Sequence, residues 1–257
     1  FPYRRSSDLQ ILLYAFYKIH FAAGFTFESL LCYCCIAAND LKKESLNVFK
    51  KLEKSSIKEA RLAVARIVGR DTENLSREEI IKATVETVAE NSNDGVIAPL
   101  FYIAIAGPVF GMIYKAVNTM DSMIGYKNEK YRFFGTFAAR CDDILGFIPA
   151  RLSAVFAIIT CPLFKMNLRN AFRIFKRDRY KHASPNSAQT ESAYAGAMEI
   201  QLGGNASYGG IMESKEYLGD EIRPPCAKDI KSAVRLMYAS SVLALLIFCA
   251  IRFFFTK

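Results

Sequence analysis

The stretch "ENSNDGVIAPLFYIAIAGP", residues 90–108, sets two acids and two amides directly before a run apolar enough to enter a bilayer. Its second half contains Pro99 and the pair Gly107-Pro108. Non-helical backbone at membrane depth survives only where it is buried in protein or lines a polar cavity. The stretch therefore reads as a broken or re-entrant membrane element with polar side chains gathered at its mouth.

The rest of the chain agrees with that reading. Of 257 residues, 52% are hydrophobic and 23% charged, so the apolar material must be segregated from the charge. It falls into four elements, about 9–38, 96–117, 147–164 and 233–255, each near the ~20 residues that cross a bilayer. Polar loops fill 39–95, 118–146 and 165–232. The expected fold is all-α, a polytopic membrane helical bundle forming a single membrane domain over 1–257. The first apolar run carries Lys18, His20 and Glu28, so it is either one helix facing a protein interior or two shorter helices.

The net charge is +9, with Lys and Arg concentrated near 42–82 and 165–181. These basic segments flank apolar spans, which places them on the cytoplasmic side by the positive-inside rule. Nucleic acid is excluded as a partner, because the cations are not interleaved with exposed aromatics on a compact fold. The partner is the lipid bilayer, and the expected location is the cell inner membrane, multi-pass. The seven cysteines are odd in number and lie mostly inside apolar runs, so they read as small hydrophobes rather than a disulfide framework. The chain begins at Phe1 without a recognisable signal peptide, and its natural start is expected upstream.

One helix announces itself before the opening stretch. Ser76 and Glu79 form an S-x-x-E capping box, with Leu75 and Ile80 placed as a hydrophobic staple, which predicts a helix from about Arg77 to Asn91. Glu86 and Glu90 share one face of it, and Asp94 extends that line. Like charges at this spacing repel, so water or a cation must compensate them. "NSNDG" is expected to break the helix.

Longer segments carry more specific information. "VGRDT" (68–72), "ATVETVAENSNDGVIAPLFY" (83–102), "YKAVNTMDSMIGYKNEKYRFFG" (114–135), "ARCDDILGFIPARL" (139–152) and "KHASPNSAQTESAYAGAMEIQLGG" (181–204) occur in this order. Together they resemble the successive motifs of the adenosylcobinamide-phosphate synthase family, integral-membrane enzymes of cobalamin biosynthesis. Two features depart from the family pattern. Family members usually begin with another span bearing Asp-Pro and His-Pro motifs, and where they often show "SPNAGWPEAA" this chain has "SPNSAQTESA".

The resemblance implies an acid–amine ligase, active on the cytoplasmic side. A propionate of adenosylcobyric acid is joined to aminopropanol or aminopropanol phosphate, with ATP and a divalent metal, Mg2+, as cofactors. Association with other cobalamin-pathway enzymes is compatible with this role. A carboxylate is a poor electrophile and must first be activated, which needs a metal held by oxygen ligands and cations that neutralise phosphate charge. The amine must lose a proton to a base. The residues available are Glu90, Asp94 and Asp121 as metal ligands or amine-side base, with Asp142 and Asp143 adding metal or amine contacts. Lys115, Lys127, Arg132 and Arg140 would handle phosphate and propionate, while Asn91, Asn93, Asn118, His182, Ser184 and Asn186 complete the substrate pocket. No P-loop or Rossmann glycine pattern accompanies them.

Two rival readings use the same residues. "DGVIA" begins like the D-G-x-x-A-R signature of a metal-dependent membrane alcohol phosphotransferase, but Pro99 stands where the Arg belongs. A transporter component or scaffold that binds a corrinoid without chemistry would also use interrupted helices.

Overall fold

The structure is a computed structural model that describes residues 2–124 and 132–255, with side chains described over 7–123 and 135–254. Its helices are α1 (Pro2–Ile19), α2 (Phe21–Cys35), α3 (Ala38–Lys54), α4 (Ile57–Val64), α5 (Arg77–Ser92), α6 (Ala98–Ala106), α7 (Pro108–Ile124), α8 (Arg132–Thr160), α9 (Leu168–Asp178), α10 (Ser187–Met198) and α11 (Ala227–Phe255). A two-stranded hairpin, β1 (Leu202–Tyr208) and β2 (Ile211–Leu218), lies between α10 and α11. The chain groups into two compact units, the first comprising Phe1–Ala37, Asp94–Pro149 and Ala244–Lys257, the second Ala38–Asn93 and Ala150–Leu243.

Local chemistry sets the boundaries around the opening stretch. The Glu79 N–H donates to Ser76 Oγ at 3.2 Å, and the Ser76 N–H donates to the Glu79 carboxylate at 2.7 Å. This closed capping box starts α5 at Arg77, as the sequence predicts. The polar segment after it does not end the helix, contrary to expectation. Asn93–Ile97 form a π turn that runs on into α6, and Pro99 falls in the first turn of α6. A π turn relaxes the regular hydrogen-bond ladder where proline would otherwise leave a gap. The break comes at Gly107, which at φ 83 occupies a conformation that L side chains rarely adopt.

In the first unit, α6 and α7 fold back on each other about that glycine. Tyr102 and Tyr114 stack with ring centroids 5.2 Å apart, and Gly111 allows close approach, since a Cβ there would sit 2.6 Å from Ile103 Cγ1. Arg252 donates to the Ile103 and Ala104 carbonyls at 2.9 and 3.3 Å, satisfying acceptors exposed where α6 stops. The first apolar run is two helices, the second of the two readings above. His20 separates them in an extended conformation and accepts from the Ala22 N–H through Nδ1 at 3.1 Å. Tyr17 Oη donates to Glu28, which pairs that carboxylate inside the apolar run.

Among the described residues, three helical stretches are long and apolar enough to cross a membrane: Phe21–Lys54, Gly135–Phe164 and Ala227–Phe254. The 96–117 element is not a fourth, because Gly107 divides it into helices of 9 and 17 residues. Nine helical residues extend only ~14 Å against ~30 Å of hydrocarbon. The segment 118–146, read from sequence as a loop, is helical through Ile124 and again from Arg132, so the third apolar element begins well before residue 147.

In the second unit, α5 and α10 are buried on nearly all sides, within a core that includes Val48, Ile80, Val88, Tyr194, Ile230 and Leu236. Gly196 lets α10 press against α9, where a Cβ would lie 2.7 Å from the Asn170 carbonyl oxygen. The hairpin, which the sequence reading did not foresee, turns on Gly209 and Gly210 at φ 58 and 80, the signs of a type I′ turn. Asp71 holds its tip, accepting from Ser207 Oγ at 2.5 Å, Gly209 N at 3.1 Å and Gly210 N at 2.8 Å.

Candidate active site

Five segments of the second unit enclose a polar cavity of about 130 Å3. The α4–α5 connection supplies Arg70, and α5 supplies Glu86, Thr87, Glu90 and Asn91, which its helical period brings to one side. His182 arrives from the loop before α10, Ser187 and Glu191 from the first turns of α10, and Gly203, Gly204, Tyr208 and Lys215 from the hairpin. An irregularity in the strand register between Leu202 and Gly204 leaves Gly204 opposite Lys215, and such bulges re-aim side chains.

The charges are partly tied together. Glu86 pairs with Arg70 and accepts from the Gly203 N–H at 2.7 Å. Lys215 Nζ donates to Tyr208 Oη at 2.9 Å. Burial works against the charged forms of Arg70 and Lys215, yet Glu86 for the first and the Tyr208 bond for the second raise both pKa values above ordinary, keeping the two cations charged. Glu191 behaves oppositely. Burial, then the charges of Glu90 and Glu86, hold its carboxyl well above the usual range, with Lys215 and Arg70 opposing.

His182 is the least satisfied group in the cavity. Its side chain is 8% exposed, with Nδ1 3.4 Å from Ser187 Oγ and 3.8 Å from Glu191 Oε2. Nε2 is buried with no hydrogen-bond partner among the described residues. Burial, then nearby Lys215, lower its pKa, while the charge of Glu86, the Glu216 backbone carbonyl and the Glu216 charge raise it; the net lowering favours the neutral imidazole that can accept a proton. Buried polar atoms are nearly always hydrogen-bonded, and Nε2 of this cavity-lining histidine is an exception.

The sequence-predicted residues divide between the units. Glu90, Asn91 and His182 line the cavity. Asn93 is buried at the start of the π turn. Asn186 precedes α10, where its Oδ1 accepts from Arg151 at 3.5 Å and its N–H donates to Ser184 Oγ at 3.3 Å. In the first unit, Asp94 accepts from Tyr114 Oη at 3.3 Å. Asn118 on α7 donates to Asp142 on α8 at 3.2 Å, and Asp121 interacts electrostatically with Asp143. Lys115 lies on α7 and Arg140 on α8, Arg132 begins α8, and Lys127 lies outside the described residues.

Sequence reasoning missed Arg70, Lys215, Glu191, Ser187 and Tyr208 as lining residues. Arg70, Ser187 and Glu191 stood inside the quoted motifs, whereas nothing local marked Lys215 or Tyr208. Among the described residues, no group of three or more His, Cys, Asp or Glu side chains is placed to hold a metal ion. A donor set of one or two carboxylates suits Mg2+ that arrives on nucleotide phosphates rather than a dedicated protein cage.

Residues 8–237 match the family model described as CobD/Cbib protein. A cobalamin biosynthesis protein CobD from Pelobacter propionicus is 47% identical over 225 residues, spanning 88% of this chain and 70% of the relative. One from Clostridium perfringens is 46% identical over 235 residues, with 91% and 75% covered. The cobalamin biosynthesis protein CbiB of Salmonella arizonae is 44% identical over 235 residues, with 91% and 74% covered. No solved structure matches.

Proposed function

The chain belongs to the CobD/CbiB family, and from that premise we propose that it forms an amide in cobalamin biosynthesis, joining adenosylcobyric acid to aminopropanol or its phosphate with ATP. The observation that carries this reading is the cavity of the second unit, where two retained cations, Arg70 and Lys215, face three carboxylates and an unpartnered His182 nitrogen. Its ~130 Å3 is below the ~300–1,000 Å3 that encloses a drug-sized ligand. It accommodates a reacting end, a propionate arm or an amino alcohol, while the corrin ring stays outside.

The residues have distinct tasks in this proposal. Arg70 and Lys215 hold the propionate and the phosphate that activates it, stabilising charge that develops on oxygen. His182 Nε2 takes the proton from the incoming ammonium, freeing its lone pair. Glu191, in its protonated form, sits beside Nδ1 and limits negative charge next to Glu86 and Glu90. Mg2+ would be held by Glu90 and nucleotide phosphates, where it offsets phosphate charge. Asp94, Asp121, Asp142 and Asp143 are proposed as further metal or amine contacts, with Lys115, Lys127, Arg132 and Arg140 for anionic substrate groups. A cytoplasmic orientation of the cavity, where ATP is found, is part of this proposal and is supported by the basic segments that flank the apolar spans.

The test is a reconstituted assay with adenosylcobyric acid, aminopropanol with or without phosphate, and ATP. Amide product appearing only when acid, amine and ATP are all present supports the reading. ATP consumption that needs neither organic substrate, or corrinoid binding without any product, overturns it.

A further inference from the structure

The outward face of α9 has no role in the cavity. The helix buries Asn170, Ala171, Ile174, Phe175 and Asp178 against the second unit. The opposite side exposes Leu168 and Phe172, and the preceding turn exposes Leu163, at 43%, 56% and 73%. Lys165, Arg169 and Lys176 stand among them and are exposed. The cations on the far flank are engaged: Arg173 and Arg177 both bond Asp220, and Arg177 also bonds Asp178. Among the described residues, none of Lys165, Arg169 and Lys176 is in such a pair.

The position of this face identifies its partner. The apolar stretch Gly135–Phe164 is long enough to cross a bilayer, and Lys165, at φ 60, turns the chain just three residues before α9 begins. A span that ends at Phe164 delivers α9 to headgroup depth. There an apolar ring enters the acyl boundary while lysine and arginine stems reach lipid phosphates. An acidic protein or nucleic acid would satisfy the cations but leave Leu163 and Phe172 wet.

We propose that residues 163–176 form an interfacial anchor on an anionic leaflet, with Leu163, Leu168 and Phe172 in the acyl boundary and Lys165, Arg169 and Lys176 on lipid phosphates. The chain contains no tryptophan, so Phe172→Trp in the full chain provides a single tryptophan, excited selectively at the red edge where tyrosine does not absorb. The protein is reconstituted into phosphatidylcholine vesicles with and without phosphatidylglycerol, with acyl-brominated lipid as quencher. Blue-shifted emission is expected, with quenching about two-fold stronger in the anionic vesicles and that increment lost with Arg169→Glu and Lys176→Glu. Water-like emission without quenching overturns the proposal, as does equal quenching in neutral vesicles. Leu168→Trp reads the same surface should Phe172→Trp fail to fold.

Discussion

The second unit buries two acids in opposite ways. Asp178, at the end of α9, has a fully covered side chain that pairs with Arg177 at 2.7 Å and Lys181 at 2.9 Å and accepts from the Gly219 N–H at 2.8 Å. Burial pushes its pKa up, but Arg177, Gly219 and Lys181 together bring it down to about 2. Glu191, on the next helix, is nearly as well covered but sits beside two like charges and a histidine lacking a partner on Nε2. The first acid is satisfied and fixes loops to helices. The second is held near its proton inside a cavity, the condition in which a buried carboxyl serves chemistry rather than cohesion.

The comparison is sharpened by exchanging the effects of the two sites. His182→Ala, which removes a base without breaking a hydrogen bond to Nε2, is expected to lower the amide-forming rate about 10²-fold or more. Its thermal unfolding should stay close to that of the parent, and a large drop in both would place His182 on the structural side. Asp178→Asn should do the reverse, costing ~1 kcal/mol of stability, because it removes the charge that Arg177 and Lys181 pair with while both cations keep solvent access. Once folded, it should keep the parent's kcat.

Adding a methyl group probes the packing that holds both sites. Gly196→Ala would place its Cβ 2.8 Å from the Ala171 Cα, and overpacking against backbone should cost ~1–3 kcal/mol in denaturant unfolding. Ser76→Ala removes the cap of the helix that carries Glu86 and Glu90 and should cost ~1 kcal/mol.

The pH dependence gives the finest contrast. His182 has a lowered pKa, so its base form grows as pH rises through a value under the usual 6.5. The rate should climb over that limb and stay level above it, and His182→Ala should erase the limb. The Asp178 pKa is depressed, so its contribution to stability is fully present above about 3.8 and is lost as pH falls through about 2. Acid unfolding of Asp178→Asn should lack that component.

Much of this was legible in residues read locally. The Ser76 box starts α5 at the expected residue, the apolar runs near 147–164 and 233–255 coincide with stretches long enough to span, and the run near 9–38 overlaps a third only from Phe21 on. Glu90, Asn91 and His182, singled out from the motifs, line the cavity. Other features were not legible. "NSNDG" carries turn-forming residues, yet it follows a helix that is buried almost all round, and packing keeps it helical as a π turn. Lys215 lies on an exposed-looking strand whose only local signal is the Gly209-Gly210 turn.

The sequence by itself determined where the capped helix α5 begins, which segments are apolar enough for a bilayer, and which family's motifs the chain carries. Those properties rest on capping, periodicity and the length of hydrocarbon to be crossed, all encoded within a turn or a span of residues. Only the tertiary structure decided which charges meet. Glu86 and Gly203 bond across 117 positions, and Asp71 grips Gly210 across 139. Such contacts depend on how α5, α10 and the hairpin pack, because Coulomb and hydrogen-bond forces act on distance in space and carry no mark in the local sequence.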